Sequence, residues 1–381
     1  MVQRSRLSHI NLHILSSENM ALNASSSSPC GNETISEYSR FPTWALNFGA
    51  TMIILTIIVG ILGNALTVVA LLKCQRVRNI AAAFIISLCV ADFLFCLLVL
   101  PFSASNFIHR DWIHGDVLCT IFPLMRYGNL GVSLLSIAMI SINRYMMITS
   151  HTLYTKVYRP LGIGLMIGFC WAFSFLMQLP TLLGAWGRFG YDSRLKTCTI
   201  IETENGISSK TALFIIAFVI PCSVIIFCYA KIFWTVRKSE NRMRRHSARS
   251  DIREAKTRKN EWRITKMVLV IFISFLACYL PITIVKTADK CVNFPVTHVV
   301  GYVLVYLSAC VNPIIYVFMN KQYRMAMKAV LFPASMQSST RVTFHSHKSK
   351  TPGADQNSQT MVSRMSITNT NFVIRESEDR F

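Results

Sequence analysis

Seven long apolar runs, at 44–72, 80–102, 117–148, 161–183, 211–236, 264–286 and 296–318, alternate with polar or charged segments along this chain. Runs of about 20 apolar residues match the helix length that crosses a bilayer's hydrocarbon core. The pattern predicts an all-α membrane protein, a seven-transmembrane helix bundle over 44–318. A soluble reading would need several fully apolar helices in one core. The last run ends in Asn312-Pro313-Ile314-Ile315-Tyr316. Proline removes a backbone hydrogen bond, and an amide in hydrocarbon needs a polar partner. That pairing is wrong for a passive anchor and predicts a working part inside the bundle.

The flanks set the topology. The composition is 52% hydrophobic and 15% charged, with a net charge of +21. Such charge can mean nucleic acid, but here it is placed otherwise. Lys73, Arg76 and Arg78 follow the first run, Lys156 and Arg159 follow the third, and 237–263 is dense in Lys and Arg. Basic loops stay cytoplasmic, so the N-terminus is expected outside and the C-terminus inside. The inner basic segments also attract anionic membrane lipid. The aromatic interleaving of an RNA-binding surface is missing, so no nucleic-acid partner is expected.

The tail 1–43 is polar and lacks the apolar core of a signal peptide. Its sequons at Asn23 and Asn32 fall on the expected outer side and predict glycosylation. Cys119 and Cys198 face the same oxidising side and predict a disulfide, and Cys30 and Cys291 are candidates for a second. Residues 319–332 form an amphipathic stretch with Tyr323, Met325, Met327 and Val330, suited to lying on the membrane surface. The Ser/Thr-rich tail 333–381 reads as disordered. Its Ser338, Ser339, Thr340, Ser363, Ser366, Thr368 and Thr370 are candidates for phosphorylation. The terminal Asp379-Arg380-Phe381 suits a PDZ groove.

Polar residues within the runs carry the candidate chemistry. Asp92 is costly in hydrocarbon unless paired, hydrated or protonated. Asn64, Asn129, Ser133, Ser308 and Asn312 are available to surround it and leave room for water or a monovalent cation. Arg144 sits in Asn143-Arg144-Tyr145 at the inner end of the third run, with Glu261 as its cross-helix partner. Such a contact can break and reform, as a switch requires. Pro180, Pro221 and Pro281 punctuate three other runs and make hinges. Arg126 lies several turns outward of Arg144, and Lys286 and His298 end the sixth run and open the seventh near the same side. A ligand carboxylate or phosphate would give Arg126 a bidentate partner; Asp289, or snorkelling into water, is the internal alternative. The intramembrane acid and kinked helices also fit ion passage, but no internal repeat is visible. No nucleophile–base constellation or metal-ligand spacing points to an enzyme.

Taken in order, Gly63-Asn64, Leu88 to Asp92, Cys119, Asn143-Arg144-Tyr145, Trp171, Cys198, Pro221 with Tyr229, Phe275 to Pro281, and Asn312-Pro313 to Tyr316 resemble the rhodopsin-like (class A) G-protein-coupled receptors. The resemblance covers about 44–331 and implies a multi-pass plasma-membrane receptor partnered by a heterotrimeric G protein. It implies a sodium pocket at Asp92, Asn129, Ser133, Ser308 and Asn312, with an allosteric sodium ion and no other cofactor. It also implies a transmission contact at Leu134, Pro221 and Phe275. Pro281, Pro313, Arg144, Tyr229, Tyr316 and the flanking Asn143, Tyr145 and Glu261 belong to the activation switch.

Three departures stand out. Asn143 replaces the usual acid and leaves Glu261 as the main restraint. Tyr279 replaces the usual tryptophan and joins Arg126, Lys286 and His298 in the ligand cavity. Arg126 stands where amine receptors carry aspartate, which argues for an anionic lipid or lipid-like ligand. Asn143-Arg144-Tyr145 with Cys278-Tyr279-Leu280-Pro281 further resembles the invertebrate trapped-in-endoderm and moody receptors, relatives of the melatonin and medium-chain fatty acid receptors. The first type, favoured here, implies directed cell migration and cell polarity; the moody type implies epithelial barrier formation.

Overall fold

A computed structural model describes residues 41–74, 80–193, 196–203, 206–245, 252–289 and 292–332. Seven helices are long and apolar enough to span a membrane. They are α1 (Thr43–Lys73), α2 (Ile80–His109), α3 (Gly115–Thr149), α4 (Pro160–Leu182), α5 (Lys210–Lys238), α6 (Glu261–Ala288) and α7 (Pro295–Met319). Each predicted run has its helix; the ends move. The largest change is in α2, where the chain turns at Val99 and a further helical segment, Leu100–His109, begins with Pro101 in its first turn. Proline tolerates that place because the first-turn N–H groups have no helical partner anyway.

The helix α3 is the hub. It packs against α2, α4, α5 and α6 and carries an outer hairpin. The hairpin pairs β1 (Arg188–Asp192) with β2 (Thr197–Ile201) antiparallel, with Gly190 opposite Thr199. The predicted Cys119–Cys198 disulfide fastens it to α3, with Cα atoms 5.2 Å apart. At the hairpin's edge the Tyr191 hydroxyl donates to Asp111, and Lys196 Nζ lies 3.7 Å from the same carboxylate. The bond from Tyr191 holds the Asp111 carboxyl below the usual carboxylate range, while burial and the same bond push the Tyr191 phenol up to about 12.

Lipid tails are as apolar as leucine, so apolar burial alone does not bring helices together in a bilayer; close packing and polar ties do. Accordingly α1 turns Leu55, Ile58 and Leu62 outward and Ala50, Ile53, Asn64 and Thr67 inward. Two glycines allow unusually close approach. A Cβ on Gly63 would lie 3.0 Å from Pro313 Cβ, and one on Gly128 would lie 2.4 Å from the Phe175 ring.

In α5, residues Ile215–Val219 widen into a π-helical turn just before Pro221. The proline has no N–H to return to the preceding turn, and the ladder locally lengthens. After α7, α8 (Lys321–Leu331) is capped by Asn320, whose side chain accepts from the Gln322 N–H at 3.0 Å. Tyr323 and Met327, expected on the membrane surface, are instead buried in the protein, where α8 packs on α1 and α7. Met325 and Val330 stay half-buried. The sequons at Asn23 and Asn32, Cys30, Cys291 and the tail from 333 onward lie outside the described residues.

The glycine contacts predict a paired outcome. Gly128→Ala drives a methyl into Phe175 and is expected to cost about 1–3 kcal/mol, as overpacking does. Gly164→Ala, in the same kind of helix but with nothing within 4 Å of the new Cβ, is expected to be neutral or mildly stabilising. Thermal unfolding of the two purified variants in one detergent checks the difference.

Candidate functional site

An outer cluster of cations and tyrosines is built from α3, α6 and α7. Arg126 is half-buried on α3, with its Cζ 5.9 Å from the Tyr302 ring centroid and 5.7 Å from that of Tyr306. These two tyrosines lie four residues apart on α7, a spacing that puts them on one helix face and was readable in the sequence. Lys286 Nζ stands 5.0 Å over Tyr302. Tyr127 and Tyr279 lie within the electrostatic reach of Arg126. His298 is not part of this group. Its Nε2 lies 3.3 Å from Asp289 Oδ2, and its ring is buried beside Phe41. Asp289 also accepts from the N–H groups of Asn293 and Phe294, each at 2.8 Å. Although desolvation pushes the Asp289 carboxyl up, those amides and His298 hold it below the usual carboxylate range. The internal partner considered for Arg126 is therefore engaged elsewhere.

Below Arg126, the Tyr279 ring stacks on Phe275 at 4.1 Å between centroids, and Phe275 meets Phe218 of α5 at 6.2 Å. The Tyr279 hydroxyl pairs with Ser308 Oγ at 3.3 Å. Next comes the Asp92 network. Ser133 Oγ donates to Asp92 Oδ1 at 3.0 Å, and Asn312 Nδ2 donates to Oδ2 at 2.7 Å. Asp92, Ser133, Ser308, Asn312, Phe275 and Tyr279 border an internal cavity of about 20 Å³, room for about one water-sized occupant. Asn129, expected in this set, is buried with neither side-chain atom bonded. Asn64 ties α1 to α7 instead, donating to the Ala309 carbonyl at 2.8 Å. Among the described residues no group of three or more His, Cys, Asp or Glu is placed to hold a metal.

At the inner end Arg144 is only 2% exposed, and its Nη1 pairs with Glu261. Its Nε and Nη2 donate to Asn143 Oδ1 at 3.2 and 2.7 Å. Asn143 thus supplies hydrogen bonds but no charge, and Glu261 is the acid that pairs with Arg144 among the described residues. The hydrogen bonds of Arg144 go to Asn143 and Glu261 and not to Tyr229 or Tyr316, although Tyr229 lies within its electrostatic reach. The Tyr229 hydroxyl donates to the Thr265 carbonyl at 3.1 Å. Tyr316 is fully buried with its hydroxyl beside the Cys89 thiol, and its ring packs edge-on to Tyr323 at 6.0 Å. Tyr145 turns aside to Phe227 of α5. Pro281 and Pro313 sit inside α6 and α7.

Tyr323 was read only as a membrane-surface residue. In the structure it is 1% exposed, its hydroxyl is unpaired, and Arg144 and Glu261 both lie within its electrostatic reach. Amphipathic periodicity gave the face of α8 but not what that face meets.

The pattern of the 7 transmembrane receptor (rhodopsin family) matches residues 63–316. The chain belongs to the rhodopsin family of seven-transmembrane receptors. It is accordingly a multi-pass plasma-membrane receptor and not an enzyme. Among its relatives, the G-protein coupled receptor moody of Drosophila melanogaster is 52% identical over 84% of this chain and 58% of that protein. The chain therefore spans less than two thirds of that relative's length. Protein trapped in endoderm-1 of Drosophila melanogaster is 39% identical over 76% of this chain and 78% of that protein. The motifs favoured the second type; the identity is higher to the first. The crystal structure of squid rhodopsin superposes with a TM-score of 0.67 at 25% identity, covering 78% of this chain and 88% of that one.

Two outcomes follow from the inner geometry of this rhodopsin-family receptor. Glu261→Gln removes the charge opposite a buried arginine and is expected to loosen the inner ends of α3 and α6, seen as a longer spin-label distance between them. Tyr323→Phe deletes a buried unpaired hydroxyl, a defect worth about 1–3 kcal/mol. It is expected to raise the thermal midpoint of the purified receptor, whereas Tyr158→Phe, which removes a buried hydroxyl set against Asn143, is expected not to raise it.

Proposed function

We propose that this chain is a G-protein-coupled receptor that takes an anionic, lipid-like ligand in its outer cavity and signals to a heterotrimeric G protein. The extracellular side is the side of the hairpin and its disulfide. One observation carries the reading: a single continuous helix, Ile252–Ala288, holds both Tyr279 beside the cationic cavity and Glu261 on Arg144. The two residues are about 27 Å apart along the helix at its standard rise. Tyr279 lies in the field of Arg126 and stacks on Phe275. A ligand that draws Arg126 toward itself therefore alters what Tyr279 packs against. Pro281 gives α6 a place to bend, and the inner end of the same helix carries the acid that restrains Arg144. Release of that pair opens the inner face to the G protein.

A monovalent cation fits the middle cavity. Asp92 supplies one negative charge, and Ser133, Ser308 and Asn312 line the space. Bound there, the cation would neutralise Asp92 and favour the packed arrangement. The Ser/Thr-rich tail would serve a receptor kinase and arrestin.

Resemblance to trapped in endoderm supports a role in directed cell migration and cell polarity. The 52% identity to moody favours a second reading, epithelial barrier formation. In cells carrying a G-protein activation reporter, wild type is expected to signal, and Arg144→Ala to lose at least about tenfold at equal surface expression, the scale of about 1.4 kcal/mol. Full signalling by Arg144→Ala would count against the mechanism.

A further inference from the structure

The outer cluster carries more positive charge than one carboxylate balances. Arg126 and Lys286 come from different helices and converge on the same ring, at 5.9 and 5.0 Å from the Tyr302 centroid. Tyrosine faces attract cations through their quadrupole but carry no net charge. Two like charges beside a low-dielectric wall repel more than they would in water.

No acid on the described chain answers them. The described ion pairs are Arg144 with Glu261, Lys196 with Asp111, and His298 with Asp289. Asp289, the acid closest in sequence to Lys286, is fully engaged. Its Oδ1 accepts from the Asn293 backbone and side chain at 2.8 and 3.1 Å. Its Oδ2 accepts from the Phe294 N–H at 2.8 Å and meets His298 at 3.3 Å. The donors around the gap are of two kinds. Arg126 is a planar fork that binds two oxygens at once, and Lys286 is a compact point charge. The phenols of Tyr127 and Tyr302 lie within the field of both cations.

We propose that this site takes a phosphate monoester, a group with about −1.5 to −2 charge near neutral pH and three free oxygens. The inference rests on the anionic-ligand reading above and narrows it. Arg126 holds two phosphate oxygens, Lys286 takes the third, and the tyrosine hydroxyls complete the shell. A fatty carboxylate has one charge and two oxygens, and leaves Lys286 unmatched. The same headgroup chemistry occurs on a lysophospholipid and on a soluble nucleotide, and the probes below separate the two.

The test uses the full-length receptor in nanodiscs of neutral lipid, with the shift in thermal midpoint as the readout. The probes are 1-oleoyl lysophosphatidate, oleate, 1-oleoylglycerol and adenosine 5′-monophosphate. Lysophosphatidate is expected to bind at least about tenfold tighter than oleate, and oleoylglycerol not to bind. A response to the nucleotide instead would assign the phosphate to a soluble ligand. Lys286→Met is expected to remove the phosphate's advantage while leaving oleate unchanged, and Arg126→Met to abolish both.

A measurement on wild type alone guards against misfolded variants. Binding of the phosphate probe should strengthen from pH 5 to pH 7.5, as its second proton leaves near pH 6. Oleate bound as tightly as lysophosphatidate would overturn the proposal, as would unchanged phosphate affinity in a folded Lys286→Met. Arg144-dependent signalling without a phosphate preference would sink this inference and leave the receptor reading standing. Phosphate binding without Arg144-dependent signalling would do the reverse.

Discussion

The cost of leaving a polar group unpaired in hydrocarbon governs this bundle. Water is not at hand to satisfy a stray amide or carboxylate there, so polar side chains within a span turn to their own helix's carbonyls or become ties to another helix. Asn64 reaches the Ala309 carbonyl, Trp171 Nε1 donates to Ser87 at 3.1 Å, and Asp92 gathers Ser133 and Asn312. These few bonds link α1, α2, α3, α4 and α7. Apolar packing fills the space between them but does not choose the partners.

The helix α6 is tied differently. Its outer half meets α5 through Phe275 on the Phe218 ring and α7 through the Tyr279 hydroxyl on Ser308, and its inner end meets α3 through Arg144 and Glu261. Stacked rings slide at little cost, whereas the ionic contact is either made or broken. An element held by a sliding contact at one end and a two-state contact at the other suits the bistable role that switching requires. The neutral Asn143 sharpens this, because it orients the guanidinium without sharing in its charge.

Most of this was legible because membranes make polar residues conspicuous. Asp92 with Asn312, Arg144 with Glu261 and Cys119 with Cys198 could be paired from depth and side alone, and the structure pairs them. Rotamers and short-range competition were not legible. His298 has the right depth for the cavity but a nearer acid in Asp289, and four residues after Asp289, Asn293 signals the capped turn that places it. Asn129 lies on α3 near the Asp92 level yet joins none of its bonds. Tyr229 and Tyr316 were assigned by resemblance and Tyr323 by helix face, and neither says whether a ring leans toward Arg144 or toward its neighbour.

The hairpin has a consequence for how long a ligand stays. Tyr127, the residue after Arg126, pairs with Thr199 Oγ1 at 3.2 Å, and the next residue back in β2, Cys198, is bonded to Cys119 two turns up α3. Helix, disulfide, strand and hydrogen bond close a small ring through the turn that carries Arg126. That turn is preorganised, so binding need not first immobilise it. Gains of this kind are felt mainly in the dissociation rate. For the ligand proposed at Arg126 this implies a long residence time, and a reducing environment outside the cell would shorten it without altering a single atom that such a ligand touches.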